Sequence, residues 1–150
     1  MSKITTPTAE SGGVDAANTA KEAPLILVVD DFEDGREMYA SYLRFSGYRV
    51  DEAADGNEAL EKAFTLRPDI ILMDLSLPGI DGWQATRELK RDERTANIPI
   101  VALTGHALEA HSRSAKEAGC DAFIVKPCMP MDLLNEIRRI LDSAEKTRGH

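Results

Sequence analysis

Four apolar runs in this 150-residue chain end abruptly in polar side chains: Leu25 to Val29 in Asp30 and Asp31, Ile70 to Met73 in Asp74, Ile98 to Leu103 in Thr104, and Ala122 to Val125 in Lys126. Carboxylates brought together from neighbouring strands repel and raise one another's pKa. A hard divalent cation relieves that repulsion, and Mg²⁺ suits a few carboxylates, a carbonyl and several waters. Mg²⁺ in turn attracts a phosphoryl group, to which Lys126 offers a second positive charge and Thr104 a hydroxyl donor. What is still needed is a nucleophile. An aspartate serves as one by forming an acyl phosphate, and Asp74 is the central carboxylate, with the Pro/Gly-punctuated stretch 75–82 beside it to admit a donor. A lone Asp after a strand more often caps a turn; four polar exits on one rim argue against that reading here.

These side chains converge only if the strands are parallel and adjacent. Ile70 to Met73 is apolar on both faces, which belongs in a parallel sheet covered by helices, where ligands sit at the carboxyl ends of the strands. The intervening segments fit. Asp34 to Phe45 reads as a helix stopped by Gly47, with an apolar set of Met38, Tyr39, Tyr42, Leu43 and Phe45 wider than one core face needs. Tyr48 to Ala53 is a strand whose exit carries no reactive group. Asp55-Gly56 then turns the chain into a helix from Asn57 to Leu66, with Leu60, Ala63 and Phe64 at helical spacing, ended by Arg67-Pro68.

Gly82 to Asp92 is expected to bury Trp83, Thr86 and Leu89, and Arg91 to Asn97 to be a surface loop. Ala107 to Ala118 should be helical, capped by Gly119, and Pro130 should open a last helix burying Leu133, Leu134, Ile137, Ile140 and Leu141. Five β-α repeats with right-handed crossovers give an α/β fold, a doubly wound five-stranded parallel sheet.

Apolar residues at 43% and charged residues at 29% are ordinary for a globular domain. A net charge of -8 argues against nucleic acid as a direct partner. No run approaches the roughly 20 apolar residues of a membrane span, and the N-terminus lacks the apolar core of a signal peptide, so a cytoplasmic location without a membrane partner is expected. Residues 1–23 hold too few large apolar side chains to fold and read as a disordered tail; the domain is expected over 24–143, with 144–150 a second tail. Cys120 and Cys128 flank an extended segment about 15 Å long at about 3.3 Å per residue, so no disulfide joins them. Cys128 lies close to the expected site. His106 and His111 lack partners at metal-ligand spacing and read as solvated.

Asp30-Asp31, Asp74, Thr104 and Lys126-Pro127 resemble the motif set of the receiver domain of two-component response regulators, a flavodoxin-like (βα)5 fold. The match runs from Leu25 to about Asp142. Its spacings are 43 residues from Asp31 to Asp74, 30 to Thr104 and 22 to Lys126. Leu77-Pro78-Gly79-Ile80-Asp81-Gly82 resembles the loop that follows the family's phosphorylated Asp. The resemblance implies that Asp74 accepts the phosphoryl group and that Asp30, Asp31 and Asp74 hold Mg²⁺ with the Ser76 backbone carbonyl. It implies that Thr104 and Lys126 bind the phosphoryl, that Phe123 is the switch aromatic beside Thr104, and that Ser76 and His106 tune the acyl-phosphate lifetime. Phe123 reads equally as a core residue. The Lys126-Pro127 bond resembles the family's cis peptide.

By this resemblance the phosphodonor is a histidine kinase or histidine phosphotransfer protein, docking beside the first helix, where Met38, Tyr42 or Phe45 could contribute. Only 24 residues follow Lys126, so the expectation is a single-domain regulator, not an enzyme, acting through an unknown downstream protein. The sequence leaves the oligomeric state open. Two alternatives stand beside this reading. One is a receiver fragment of a hybrid histidine kinase. The other is a phosphatase of the haloacid-dehalogenase type, which requires Asp-x-Asp at the nucleophile where this chain has Asp74 and Ser76.

Overall fold

The computed structural model describes residues 23–75, 82–105, 117–126 and 128–148. Five strands, β1 (Leu25–Val29), β2 (Arg49–Ala53), β3 (Ile70–Asp74), β4 (Ile100–Thr104) and β5 (Ala122–Val125), make one parallel sheet in the order β2-β1-β3-β4-β5. Among the described residues the long helices are α1 (Glu33–Phe45), α2 (Gly56–Leu66), α3 (Gly82–Arg91) and α4 (Pro130–Arg148). The helix expected over Ala107 to Ala118 lies outside the described residues except for Glu117 and Ala118, which are helical. α4 continues past Ser143, where the sequence reading closed the domain.

β3 and β4 are buried at every position, because both faces of the sheet are covered. Ile26, Val28, Ile70, Leu72, Val101 and Leu103 pack on one face against Tyr39 and Leu43 of α1 and Leu133 and Ile137 of α4. Leu27, Val29, Ile71, Met73 and Ile100 pack on the other against Ala59 and Ala63 of α2 and Ala85 and Leu89 of α3. The alternation along each strand is the period of two of the pleat. Each fully buried Leu or Ile contributes about 1.5–3 kcal/mol.

Register is set at the amino edge by one device used twice. Asp69, just before β3, donates its N–H to the Leu25 carbonyl and accepts the Leu25 N–H on Oδ2, both at 2.8 Å. Asp121, just before β5, does the same with Ile100, again at 2.8 Å for both bonds. Lys90 reinforces the second clamp, its Nζ lying 2.8 Å from Asp121 Oδ2. These clamps decide which residues stand level at the carboxyl edge, since a slip of one residue would turn every side chain to the opposite face.

Local signals explain the helix ends. The Gly47 N–H donates to the Arg44 carbonyl and the Tyr48 N–H to the Leu43 carbonyl, with Gly47 at φ 103°, so α1 ends in a Schellman turn that a left-handed glycine makes possible. At α2, Asp55 accepts from the Glu58 N–H and Glu58 accepts from the Ala54 N–H, a reciprocal cap.

Two expectations need correction, at Trp83 and at Thr95. α3 buries Gly82, Ala85, Thr86 and Leu89 and leaves Trp83 half-buried, because positions i, i+3, i+4 and i+7 face the sheet and Trp83 lies one residue off that stripe. α2 turns Gly56, Ala59 and Ala63 inward, with Leu60 and Phe64 at the margin. Thr95, assigned to a surface loop, is fully buried and its hydroxyl donates to the Leu89 carbonyl at 2.6 Å, closing the end of α3. The cysteines are free, and burial pushes the Cys120 thiol up to about 11 and raises that of Cys128, so both are poor nucleophiles.

Candidate phosphoacceptor site

The register places the polar exits side by side. Val29 pairs with Met73, which sets Asp30 next to Asp74, and Asp74 itself pairs with Leu103. Thr104 pairs with Val125, and the Lys126 N–H donates to the Thr104 carbonyl at 2.7 Å. Alternation then sorts the side chains. Val28, Leu72 and Ile124 lie on the α1/α4 face, so Asp30, Asp74 and Lys126, each two residues further along, share it.

Asp30 and Asp74 are buried, with exposures of 1% and 5%, while Asp31 is exposed. One carboxylate oxygen from each of the three lies within 4.8 Å of the others. The Lys126 ammonium sits between the two buried carboxylates, 3.1 Å from Asp30 Oδ2 and 3.3 Å from Asp74 Oδ2. Burial alone would depress its pKa, but Asp74 and Asp30 outweigh burial and raise it above 10.5. The repulsion expected among the carboxylates is thus partly met within the protein.

Asp30 is held at every polar atom. Its N–H donates to the Ala53 carbonyl at 3.1 Å, and its carbonyl accepts from Arg36 Nη1 at 3.0 Å. Its Oδ1 accepts the Phe32 N–H at 2.9 Å, and its Oδ2 faces Lys126. Thr104 is fully buried and Phe123 half-buried. Ser76, His106 and Pro127, which carry the expected carbonyl ligand, the lifetime roles and the X-Pro bond, lie outside the described residues.

Two residues that sequence reading passed over belong here. Tyr39, read only as part of an apolar stripe, is buried; burial raises its phenol pKa, Lys126 pulls it back, and Asp30 and Asp74 add to the rise. Nothing in the sequence distinguishes it from a core tyrosine. Arg36 reaches the Asp30 carbonyl from α1, a contact that no spacing rule announces.

Gly82 has a geometric role. A Cβ there would lie 2.2 Å from the Asp74 carbonyl oxygen and 2.7 Å from the Leu75 Cα, both backbone atoms that cannot swing aside. The first turn of α3 therefore rests directly on the peptide that carries the acceptor. Gly82→Ala should lower unfolding stability by about 2 kcal/mol or more, the upper range of overpacking. The control is Gly105→Ala, where nothing among the described residues lies within 4 Å of the added carbon. Equal urea midpoints for the two variants would refute the close approach.

Three hard oxygen donors with this spread suit a Mg²⁺ octahedron, which spans about 4.2 Å corner to corner at about 2.1 Å per bond. A central strand ending in an aspartate, flanked by an acidic pair, a hydroxyl and a lysine, is an arrangement chemically suited to taking a phosphoryl group on a carboxylate. Residues 26–138 match the response regulator receiver domain family, and the chain belongs to it. It is 38% identical over 122 residues to the transcriptional regulatory protein ResD of Bacillus subtilis, covering 81% of this chain and 50% of ResD. It is 33% identical over 119 residues to the polar-differentiation response regulator DivK of Brucella anthropi, covering 79% of this chain and 97% of DivK. The receiver domain of sensor histidine kinase PA1611 from Pseudomonas aeruginosa has a TM-score of 0.70 at 37% identity, covering 81% of this chain and 96% of that one. That structure has a magnesium ion coordinated in its active site cleft. The chain spans about half the length of ResD and of a second regulator, PhoB of Pseudomonas aeruginosa. Receiver domains are phosphoacceptors supplied by histidine kinases or phosphotransfer proteins, and bind Mg²⁺ at an acidic site. Among the described residues no helix is long and apolar enough to cross a membrane.

Proposed function

We propose that this chain is a cytoplasmic single-domain response regulator, spanning residues 24–143, that takes a phosphoryl group on Asp74 from a phosphohistidine and signals through an altered protein-binding surface. The observation that carries the reading is the Lys126 ammonium between buried Asp30 and Asp74, with an Asp31 oxygen within 4.8 Å. In the transfer the P–N bond of the donor breaks as a P–O bond to an Asp74 carboxylate oxygen forms, and the imidazole nitrogen keeps the bonding pair. Asp30, Asp31, Asp74 and the Ser76 carbonyl would hold Mg²⁺, which when bound neutralises phosphoryl charge. Lys126 and Thr104 take the remaining phosphoryl oxygens. Ser76 and His106 would flank the path of the water that ends the acyl phosphate.

The alignment over 97% of DivK supports the single-domain reading, and the PA1611 likeness favours the hybrid-kinase fragment as the second reading. The receiver family match removes the haloacid-dehalogenase alternative. Of the proposed docking residues, Met38 is exposed midway along α1, about 8 Å from Glu33, whereas Phe45 lies about 18 Å along at about 1.5 Å per residue and drops out of a patch beside the rim.

Output should run through β4 and β5. Ala102 pairs with Phe123 and Thr104 with Val125, so Phe123 and Thr104 share the face opposite Asp74 on adjacent strands. Phosphoryl on Asp74 would draw Thr104 toward it and let Phe123 turn inward, while the Thr104 carbonyl carries the shift to the Lys126 N–H. A partner that binds the changed form tenfold better corresponds to about 1.4 kcal/mol of coupling. Beryllofluoride, an acyl-phosphate mimic, should alter amide exchange from Thr104 through α4 and leave residues 1–23 unaffected. Changes confined to the Asp74 loop would mean that the switch is uncoupled from the site.

A further inference from the structure

The sequence assigned the second strand no functional group, because its exit is Ala53-Ala54. The structure gives that strand a task one residue earlier. Glu52 Oε1 lies 3.1 Å from Arg36 Nε, and the same guanidinium donates from Nη1 to the Asp30 carbonyl at 3.0 Å. The Arg36 side chain is 15% exposed and Glu52 25%, so solvent competes weakly for the pair. Arg44 approaches the second oxygen of Glu52, at 3.4 Å, and also donates to the Val50 carbonyl at 3.0 Å, which keeps Glu52 from swinging outward.

This chain of contacts ends on the peptide between Asp30 and Asp31. The Asp30 carbonyl and the Asp31 N–H belong to one planar unit, so fixing that carbonyl fixes the direction in which the chain enters Asp31. Asp30 has other restraints at its N–H and both carboxylate oxygens. Asp31, exposed on the lip, depends on this peptide for its aim. A guanidinium suits the task because its planar fork meets a carbonyl and a carboxylate at once, which an ammonium on a flexible stem does not.

We propose that Arg36, oriented by Glu52, is a positioning residue for Mg²⁺: it holds the Asp30–Asp31 peptide so that both carboxylates face one ion. The inference rests on the phosphoacceptor reading above and adds a role for two residues that touch neither the metal nor the phosphoryl group.

Charge and positioning predict opposite signs, which makes the test sharp. Arg36 is a cation near a cation site, so by Coulomb's law alone its removal tightens Mg²⁺ binding. Lost positioning weakens it, and partners behind metal ligands typically cost about 10–100-fold in affinity when removed. The measurement is calorimetric titration of the full chain with MgCl₂, with thermal melting in EDTA as the folding control. Arg36→Gln should raise the Mg²⁺ dissociation constant about tenfold or more. Glu52→Gln should raise it less, Arg36→Lys should restore little, and the double Arg36→Gln/Glu52→Gln variant should be no worse than Arg36→Gln. Unchanged or tighter binding by Arg36→Gln overturns the proposal. If Arg36→Gln does not fold, Glu52→Gln decides, and wild-type affinity there overturns it too. Failure of the wild-type chain to bind Mg²⁺ would instead strike the phosphoacceptor reading itself, and this inference with it.

Discussion

Asp74→Asn should abolish labelling by acetyl phosphate and Mg²⁺, a loss of at least about a thousandfold, as expected when the nucleophile of a covalent step is removed. The amide keeps the shape of the carboxylate but lacks the charge that attacks phosphorus. It also removes one of the two carboxylates facing Lys126 while leaving the other, Asp30, at 3.1 Å, so the ammonium stays paired and the fold should survive. Asp74 stands at the end of a strand buried at every position, so loss of labelling with an unchanged thermal midpoint would isolate the chemistry from the scaffold. The check is intact-protein mass spectrometry, with hydroxylamine lability to identify an acyl phosphate. Labelling that survives the substitution, or that ignores chelation of Mg²⁺, would sink the assignment.

Lys126→Met should slow phosphorylation by about 10²–10³-fold, the scale for removing one preorganised donor aimed at developing charge. A second effect should appear in stability. Without the ammonium, Asp30 and Asp74 face each other in a buried pocket, and a folded carboxylate whose pKa is raised loses stability as pH rises through that value. The deficit of the variant should therefore be small in acid, grow toward neutral pH, and shrink again on adding Mg²⁺, which binds only the folded chain. In the wild type the slope has the same sign but lies far higher on the pH scale. Lys126 has its pKa raised above 10.5, so its contribution is complete below 10.5 and is lost only as pH climbs through the raised value. The Lys126 side chain is 28% exposed, so solvent screening keeps the effect modest. A variant whose urea midpoint tracks the wild type from acid to neutral pH would show that the two carboxylates do not depend on Lys126.

The polar strand exits were legible because they depend on residue type at element ends. Apolar runs that stop at Asp30, Asp74, Thr104 and Lys126 announce strand exits without any knowledge of packing, and those strands lie where expected within a residue or two. α4 was legible for the same reason: its expected buried residues, Leu133, Leu134, Ile137, Ile140 and Leu141, are all buried. Trp83 was misplaced because a stripe of three residues fits more than one helix rotation, and only contact with the sheet selects among them. Thr95 was misplaced because a polar residue in a polar run looks solvated, whereas a hydroxyl that caps a neighbouring helix carbonyl can be buried without penalty.

The sequence by itself determined that strands and helices alternate and that three carboxylates, a threonine and a lysine stand at strand ends. Each of these follows from local periodicity and from chemistry carried by single side chains. Only the tertiary structure decided which exits are neighbours and which way they face. The order β2-β1-β3-β4-β5 puts Asp30 beside Asp74, and the Asp69 and Asp121 clamps hold the register that turns Asp30, Asp74 and Lys126 to one face and Thr104 and Phe123 to the other. Lys126 lies 96 residues from Asp30 along the chain and 3.1 Å away in space. Contacts of that kind arise from the closing of the sheet, and no pattern within a window of sequence encodes them.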